Sequence, residues 1–251
     1  MRLPLFAMLA LTAAGHAASL PSLLEIAARS SEREIAALSV VACTETVVET
    51  RINPKDKTEE RRRQSFDYLV LLDTDDGALA VTESRVEQGR AKAAAKPLLA
   101  STGFATMLLI LHPFYQDSFE FTDLGYTQDG GRQWKKLGFE FRAGKRSPSI
   151  LRAGAREYPL AWKGEALLDE ITGQVLSIHA TLGAQLEEIG LRSLEANVRY
   201  APQAAESAEW LPAEAVVELK TNHQHWRNVH SFAGYKKFGV DTSEKREVKQ
   251  Q

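Results

Sequence analysis

Ser65-Phe66-Asp67-Tyr68-Leu69-Val70-Leu71-Leu72-Asp73 alternates along its length, and this alternation decides the fold class. Phe66, Tyr68, Val70 and Leu72 fall on one face of a strand, while Ser65, Asp67 and Asp73 fall on the other. Leu69 and Leu71 give that second face partial cover as well. Asp75-Asp76-Gly77 is a hairpin signal, so Ala78 to Glu87 returns as the next strand. Upstream, Val40 to Arg51 is rich in Val and Thr and is followed by the turn residues Asn53-Pro54-Lys55-Asp56. Three consecutive antiparallel strands result.

The same reading extends in both directions. Leu24, Ala27, Ala28, Ile35 and Leu38 keep a helical period over Leu20 to Leu38, widened by Leu23 and Ile26. Pro21 suits the start of that helix, and Ser30-Ser31 interrupts its apolar stripe and predicts a break or bend. Gln88 to Lys96 reads as a polar linker. Phe104, Met107, Leu108 and Leu111 form the stripe of a second helix, Thr102 to Leu111, capped by Ser101 or Thr102 and ended by His112-Pro113. Leu109 and Ile110 make it apolar nearly all round, which predicts burial on more than one side. Further strands follow over Phe119 to Tyr126, Arg132 to Arg142, Glu157 to Asp169, Gln174 to Leu182, Leu191 to Tyr200, Trp210 to Thr221 and Trp226 to Val240. Gly144 to Gly154 reads as a basic mobile loop, and the tail 243–251 as disordered. The predicted class is α+β: a large curved antiparallel sheet, an open and unclosed β-barrel, with helices on its concave face. One open-barrel domain covers 18–242.

At the N-terminus, Arg2 precedes the apolar run Leu3 to Ala14, and Gly15-His16-Ala17 places small residues before a cut at Ala18. Residues 1–17 therefore read as a secretory signal peptide, and the run is too short for a permanent membrane span. The residue after the cut is not Cys, so no lipid anchor is expected. The compartment is periplasmic or secreted. With 33 acidic against 31 basic residues there is no basic excess to suit nucleic acid.

Residues with chemical potential are few. Cys43 is the only cysteine and lies in a strand, where a free thiol is usually a small core residue. His223-x-His225 would share a strand face as metal ligands, with His230 at the opposite parity and no carboxylate near in sequence; solvated turn residues are the expectation. No Gly-x-Ser-x-Gly, His-Glu-x-x-His or phosphate-loop pattern occurs. Asp75, Asp76, Asp169 and Glu170 sit in turns, where carboxylates bond local backbone. Arg61-Arg62-Arg63 beside Glu59-Glu60 reads as a solvated strand edge. Lys145-Arg146 with Arg152 and Arg156 could meet anionic lipid head groups, but an ordinary exposed basic loop is the expectation. The expectation is a non-enzyme with no catalytic residue, no metal and no cofactor.

Two segments carry a family resemblance. Trp162 to Leu176 contains Asp169-x-x-Thr172-Gly173 between two strands, and Trp210-Leu211-Pro212 with Arg227 to Phe238 supplies closing strands. With the element order, these resemble a secreted bacterial branch of the periplasmic lipoprotein-carrier and outer-membrane lipoprotein-sorting superfamily. The resemblance implies a cavity between sheet and helical lid, and thus a binding protein for an apolar ligand such as a lipid or acyl chain. Phe66, Tyr68, Val70, Phe104, Met107, Leu108, Leu111, Phe139 and Phe141 are the expected lining. The alternative is a non-catalytic structural or interaction module of the cell envelope, with an envelope protein as its partner. Neither reading involves nucleic acid or a transmembrane anchor. N-terminal sequencing of the exported protein is expected to start near Ala18; a membrane-embedded product retaining Met1 to Ala14 would contradict the leader.

Overall fold

The computed structural model describes residues 19–75, 78–88, 103–153, 156–203 and 209–237. The leader, the Ser101 or Thr102 cap, most of the Gln88 to Lys96 linker and the tail lie outside these residues.

Helix α1 (Leu20–Leu38) starts where Ser19 caps it, its hydroxyl accepting from the Ser22 N–H at 3.4 Å, with Pro21 in the first turn. It runs unbroken through Ser30-Ser31, against the expected bend. Both serines are buried and bond within the helix: Ser31 Oγ donates to the Ala28 carbonyl at 2.8 Å and Ser30 Oγ to Glu34 Oε1 at 3.2 Å. Satisfied in this way, they extend the buried stripe without disturbing the backbone ladder.

Twelve strands follow: β1 (Val41–Ile52), β2 (Thr58–Asp75), β3 (Ala78–Glu87), β4 (Phe119–Asp129), β5 (Arg132–Phe141), β6 (Ile150–Ala153), β7 (Arg156–Pro159), β8 (Trp162–Leu168), β9 (Val175–Leu182), β10 (Leu191–Pro202), β11 (Trp210–Thr221) and β12 (His225–Lys237). Ten of them form one unclosed sheet in the order β3-β2-β1-β12-β11-β10-β9-β8-β5-β4. Every neighbouring pair is antiparallel. The expected large antiparallel open sheet is present. β3 and β4 are its two edges. α1 reaches β1, β2, β9 and β11 on one face, as well as the short helices between β3 and β4.

Three local expectations differ from the structure. Thr102 to Leu111 is not a helix over its described length. Gly103 adopts a left-handed φ of 83°, Met107–Ile110 forms a single 3₁₀ turn, and His112 caps a short helix α2 (Pro113–Gln116). Leu108, Ile110 and Leu111 are all within 1% of full burial. A run enclosed on every side needs no helical stripe, and Pro113 opens a helix here instead of closing one. The basic loop 144–154 contains β6, which pairs with β7 as a separate hairpin. The strand expected over Glu157 to Asp169 is consequently split. Pro159 ends β7, the Leu160 N–H turns to the Ser149 carbonyl at 2.9 Å, and β8 begins at Trp162. On the outer face, Leu69 is half-buried and Leu71 is 50% exposed, which is the partial cover expected.

The Asp169 turn holds α1 against the sheet. Asp169 Oδ1 accepts from the Ile171 and Thr172 N–H groups at 3.0 and 2.8 Å, and from the Thr172 hydroxyl at 3.0 Å. Gly173 then takes a φ of 73°, where a Cβ would lie 2.5 Å from the Ile26 carbonyl oxygen. Farther along the hairpin, a Cβ at Gly164 would lie 2.0 Å from the His179 carbonyl oxygen, inside the β8–β9 ladder. Gly164→Ala is therefore expected to destabilise by about 3 kcal/mol or more through forced strand separation. Gly138→Ala is crowded only by the Leu124 side chain, at 3.1 Å, with the Thr122 carbonyl oxygen at an ordinary 3.6 Å, and is expected to cost roughly 1 kcal/mol or less. Denaturant midpoints of the two variants test this contrast.

Candidate ligand-binding interior

The face under α1 is built by alternation. On β1 it takes Val41, Cys43, Glu45, Val47 and Glu49, all buried. On β2 it takes Tyr68 and Val70, and on β12 Asn228, His230 and Phe232. Eight of the nine expected lining residues belong to, or pack against, one connected apolar cluster on this face. Tyr68, Val70, Met107, Leu108, Leu111 and Phe139 are buried within it, and Phe104 and Phe141 pack partly exposed at its margin. Phe66 stands apart: it is half-buried, outside the cluster, and paired in register with Glu45. Aromatic contacts organise the rest. Tyr68 and Phe232 lie 5.2 Å apart, and Phe119 packs edge-on to Phe139 and Phe141 at 6.0 and 5.6 Å.

The sequence reading missed a polar group set into this apolar face. Glu45, with its side chain fully buried, accepts at Oε1 from Arg85 Nη2 of β3 at 2.7 Å, and Arg85 Nε stands 2.6 Å from Oε2 as an ion-pair contact. His230 Nδ1 meets the same Glu45 Oε1 at 2.7 Å from the other side. A guanidinium and an imidazole thus share one buried carboxylate. Arg85 also lies 3.8 Å from Glu83 and 5.8 Å from the centre of the Tyr68 ring. Burial raises the Tyr68 phenol well above its ordinary range, with the Glu83 charge adding to it, and burial likewise raises the Glu83 carboxyl. The signal was available: Glu45 and Glu49 have the parity of Val41, Cys43 and Val47.

Cys43 is buried, and loss of solvation pushes its thiol up to about 12, which leaves it protonated and unreactive at neutral pH. Its neighbour Tyr235 donates its hydroxyl to the Pro212 carbonyl at 2.7 Å. Of the histidine pair, His223 is exposed in the β11–β12 turn. His225 Nε2 lies 3.3 Å from Glu218 Oε2, and Arg227 Nε lies 3.2 Å from Oε1 of the same carboxylate. Among the described residues no three potential metal ligands converge. His230, the odd member by parity, is the one drawn into the interior.

Two of the openings among the described residues bear on the site. A groove of about 490 Å³ crosses β4, β5, β8 and β9 and is walled by charged and polar side chains, among them Glu120, Glu140, Lys163, Glu165 and His179. A smaller pocket of about 190 Å³ lies where α1 ends, between β1, β11 and β12. Its floor is Val41, Leu211 and Tyr235, all packed in or against the core. Its mouth carries Ala37, Val40, Gln203, Glu209 and Lys237. Of the nine expected lining residues only Phe139 borders either opening.

No protein-family model matches the sequence, and no curated protein matches it. Solved structures do match. One is a DUF1329 family protein from Desulfovibrio piger, 11% identical, with 89% of this chain and 94% of that one covered and a TM-score of 0.49. Another is a LolA superfamily protein from Nitrosomonas europaea, 11% identical over 89% and 96% of the two chains, at 0.42. A third is an outer membrane lipoprotein-sorting protein domain from Vibrio parahaemolyticus, 12% identical over 88% and 94%, at 0.46. At such identities and TM-scores, function has to be read from this chain's own residues. No described helix is long and apolar enough to cross a membrane.

Glu34 provides a test of the α1 contact. It is buried on the helix face turned to the sheet, its Oε2 has no hydrogen-bond partner, and burial raises its pKa from 4.5 to about 8 against the opposing effects of Ser30 and Arg33. Below pH 4.5 both the folded and unfolded states hold the proton, so Glu34 exacts no penalty. As pH rises towards 8 only the unfolded chain releases it, and stability falls. Glu34→Gln is expected to flatten this decline and to stabilise by on the order of 3 kcal/mol at the alkaline end. Parallel urea melts of both proteins across that pH range measure it.

Proposed function

We propose that this protein is a periplasmic or secreted binding protein for an apolar ligand, a lipid or acyl chain, held between the sheet and the segments that cover it. On this reading the face under α1 is the concave one; Phe104, Met107, Leu108, Leu111, Tyr68, Val70, Phe139 and Phe141 are the apolar wall a ligand would reach by parting the cover from the sheet, since they share one cluster with the floor of the pocket at the end of α1 but do not border it. Phe66, next to Glu45, lies at its polar border.

The observation that carries the reading is the pocket at the end of α1. Its floor is core surface, contributed by Val41, Leu211 and Tyr235, while Glu209 and Lys237 stand at its rim. An apolar floor with a few polar groups at the mouth is the usual form of a small-ligand site. At about 190 Å³ it is smaller than the ~300–1,000 Å³ of a full site, so it suits one aliphatic segment. The competing reading, an interaction module of the cell envelope, draws on the complete burial of Val70 and Leu111, as in a filled core.

Native mass spectrometry of the exported protein separates the two. Carriage predicts lipid-sized adducts and binding of a fluorescent fatty-acid probe. Val40 is 46% exposed at the pocket mouth, so Val40→Glu is expected to leave the fold intact. The introduced charge is expected to weaken the probe by about tenfold, since an unpaired carboxylate resists desolvation. A clean apo mass with no probe binding would leave the interaction module as the better reading.

A further inference from the structure

From Arg142 to Arg156 the chain carries five basic residues and no acidic one, in a protein of formal net charge −2. This stretch is the loop 142–149 and most of the β6–β7 hairpin, which pairs with itself and stands outside the ten-stranded sheet. Its root is firmly held. Tyr158 and Leu160 are buried, Leu151 packs on the core, and the Ser147 hydroxyl donates to the Leu160 carbonyl at 2.7 Å.

The cations point the other way. Arg142, Lys145, Arg146 and Arg156 are exposed. Lys145 is tied to Asp117 at 3.0 Å and Arg156 reaches Glu188 at 3.8 Å; the Arg146 charge acts on the same Asp117 without an ion-pair contact, and Arg142 has no acidic partner among the described residues. The Arg146 guanidinium instead lies 4.3 Å from the centre of the Phe114 ring, which steadies it on α2. Ile150, 53% exposed, opens the hairpin among these charges.

Positive charge alone would suit any polyanion. A large apolar side chain held out beside it suits a surface that is anionic outside and apolar beneath. That is an anionic bilayer, which attracts basic segments electrostatically and accepts an aliphatic side chain at the headgroup boundary. We infer that the loop 142–149 and the β6–β7 hairpin dock this protein on an anionic phospholipid surface, with Arg142 and Arg146 at the phosphates and Ile150 in the acyl boundary. The inference does not depend on ligand carriage.

Co-sedimentation of the full exported protein with vesicles of phosphatidylcholine alone, or of phosphatidylcholine with phosphatidylglycerol, tests it. Binding is expected only with phosphatidylglycerol and is expected to fall as salt rises. Arg142→Glu combined with Arg146→Glu should lower the apparent affinity by about tenfold or more. Ile150→Asp should weaken binding with little change in its salt dependence. The exposed pair Arg61 and Arg63 on β2 is the control, and its reversal to Glu should leave vesicle binding in place. Melting curves confirm that each variant is folded; if the double reversal does not fold, Ile150→Asp decides alone. Absence of phosphatidylglycerol-dependent binding, retention by both hairpin variants, or an equal loss in the β2 control would overturn the inference. Retention on heparin without vesicle binding would overturn it as well, assigning the surface to a soluble polyanion.

Discussion

The β1–β12 ladder makes this chain one sheet. β1 to β3 form one meander, and β4, β5 and β8 to β12 form another; only the pairing of Val41–Ile52 with His225–Lys237 joins them. That pairing closes a loop of most of the chain, so its conformational cost must be offset by what it buries. Its inner side buries the Glu45–His230 contact, and Arg85 reaches the same carboxylate from β3 across β2. One carboxylate therefore ties β12 and β3 to β1, the latter across the intervening β2. Removing one partner of a buried charge pair typically costs about 3–5 kcal/mol, whereas the intact group need not stabilise more than an apolar replacement would. The group's contribution is better understood as registration. A one-residue slip of β1 would turn Glu45 outward and leave Arg85 and His230 without that carboxylate.

The same slip rule explains the mixed character of the interior. On β1 a carboxylate alternates with small apolar side chains, and on α1 Ser30, Ser31 and Glu34 occupy places where a packing helix would ordinarily carry Leu or Ile. The covered face is consequently apolar around Leu108, Leu111 and Phe139 and polar around Glu45. A cover built with a buried, unpartnered carboxyl oxygen packs less favourably than a wholly apolar one.

The alternation of Phe66 to Leu72 and the Val/Thr texture of β1 made the meander legible, because a half-buried strand writes its period of two directly into the residues. α1 was legible for the same reason, at a period near 3.6. Failures came where burial is complete. Met107 to Leu111 is apolar in every direction, so its pattern does not distinguish a helix from a 3₁₀ turn; Gly103 and Pro113 decided the backbone there. The 150–159 hairpin was hidden by its basic residues, which reflect exposure and say nothing of pairing.

By itself, then, the sequence determined the class of structure: the antiparallel strands, the leading helix, the buried fate of Cys43, and the set of apolar side chains that meet. These depend on local periodicity and solvation, which are properties of neighbouring residues. Tertiary structure alone decided which strands adjoin, and so that Glu45, Arg85 and His230 converge from positions far apart in the chain. It also decided that His225 turns to Glu218, and that a pocket opens at the end of α1. Charge pairs and cavities are relations between distant segments, and no local period encodes them.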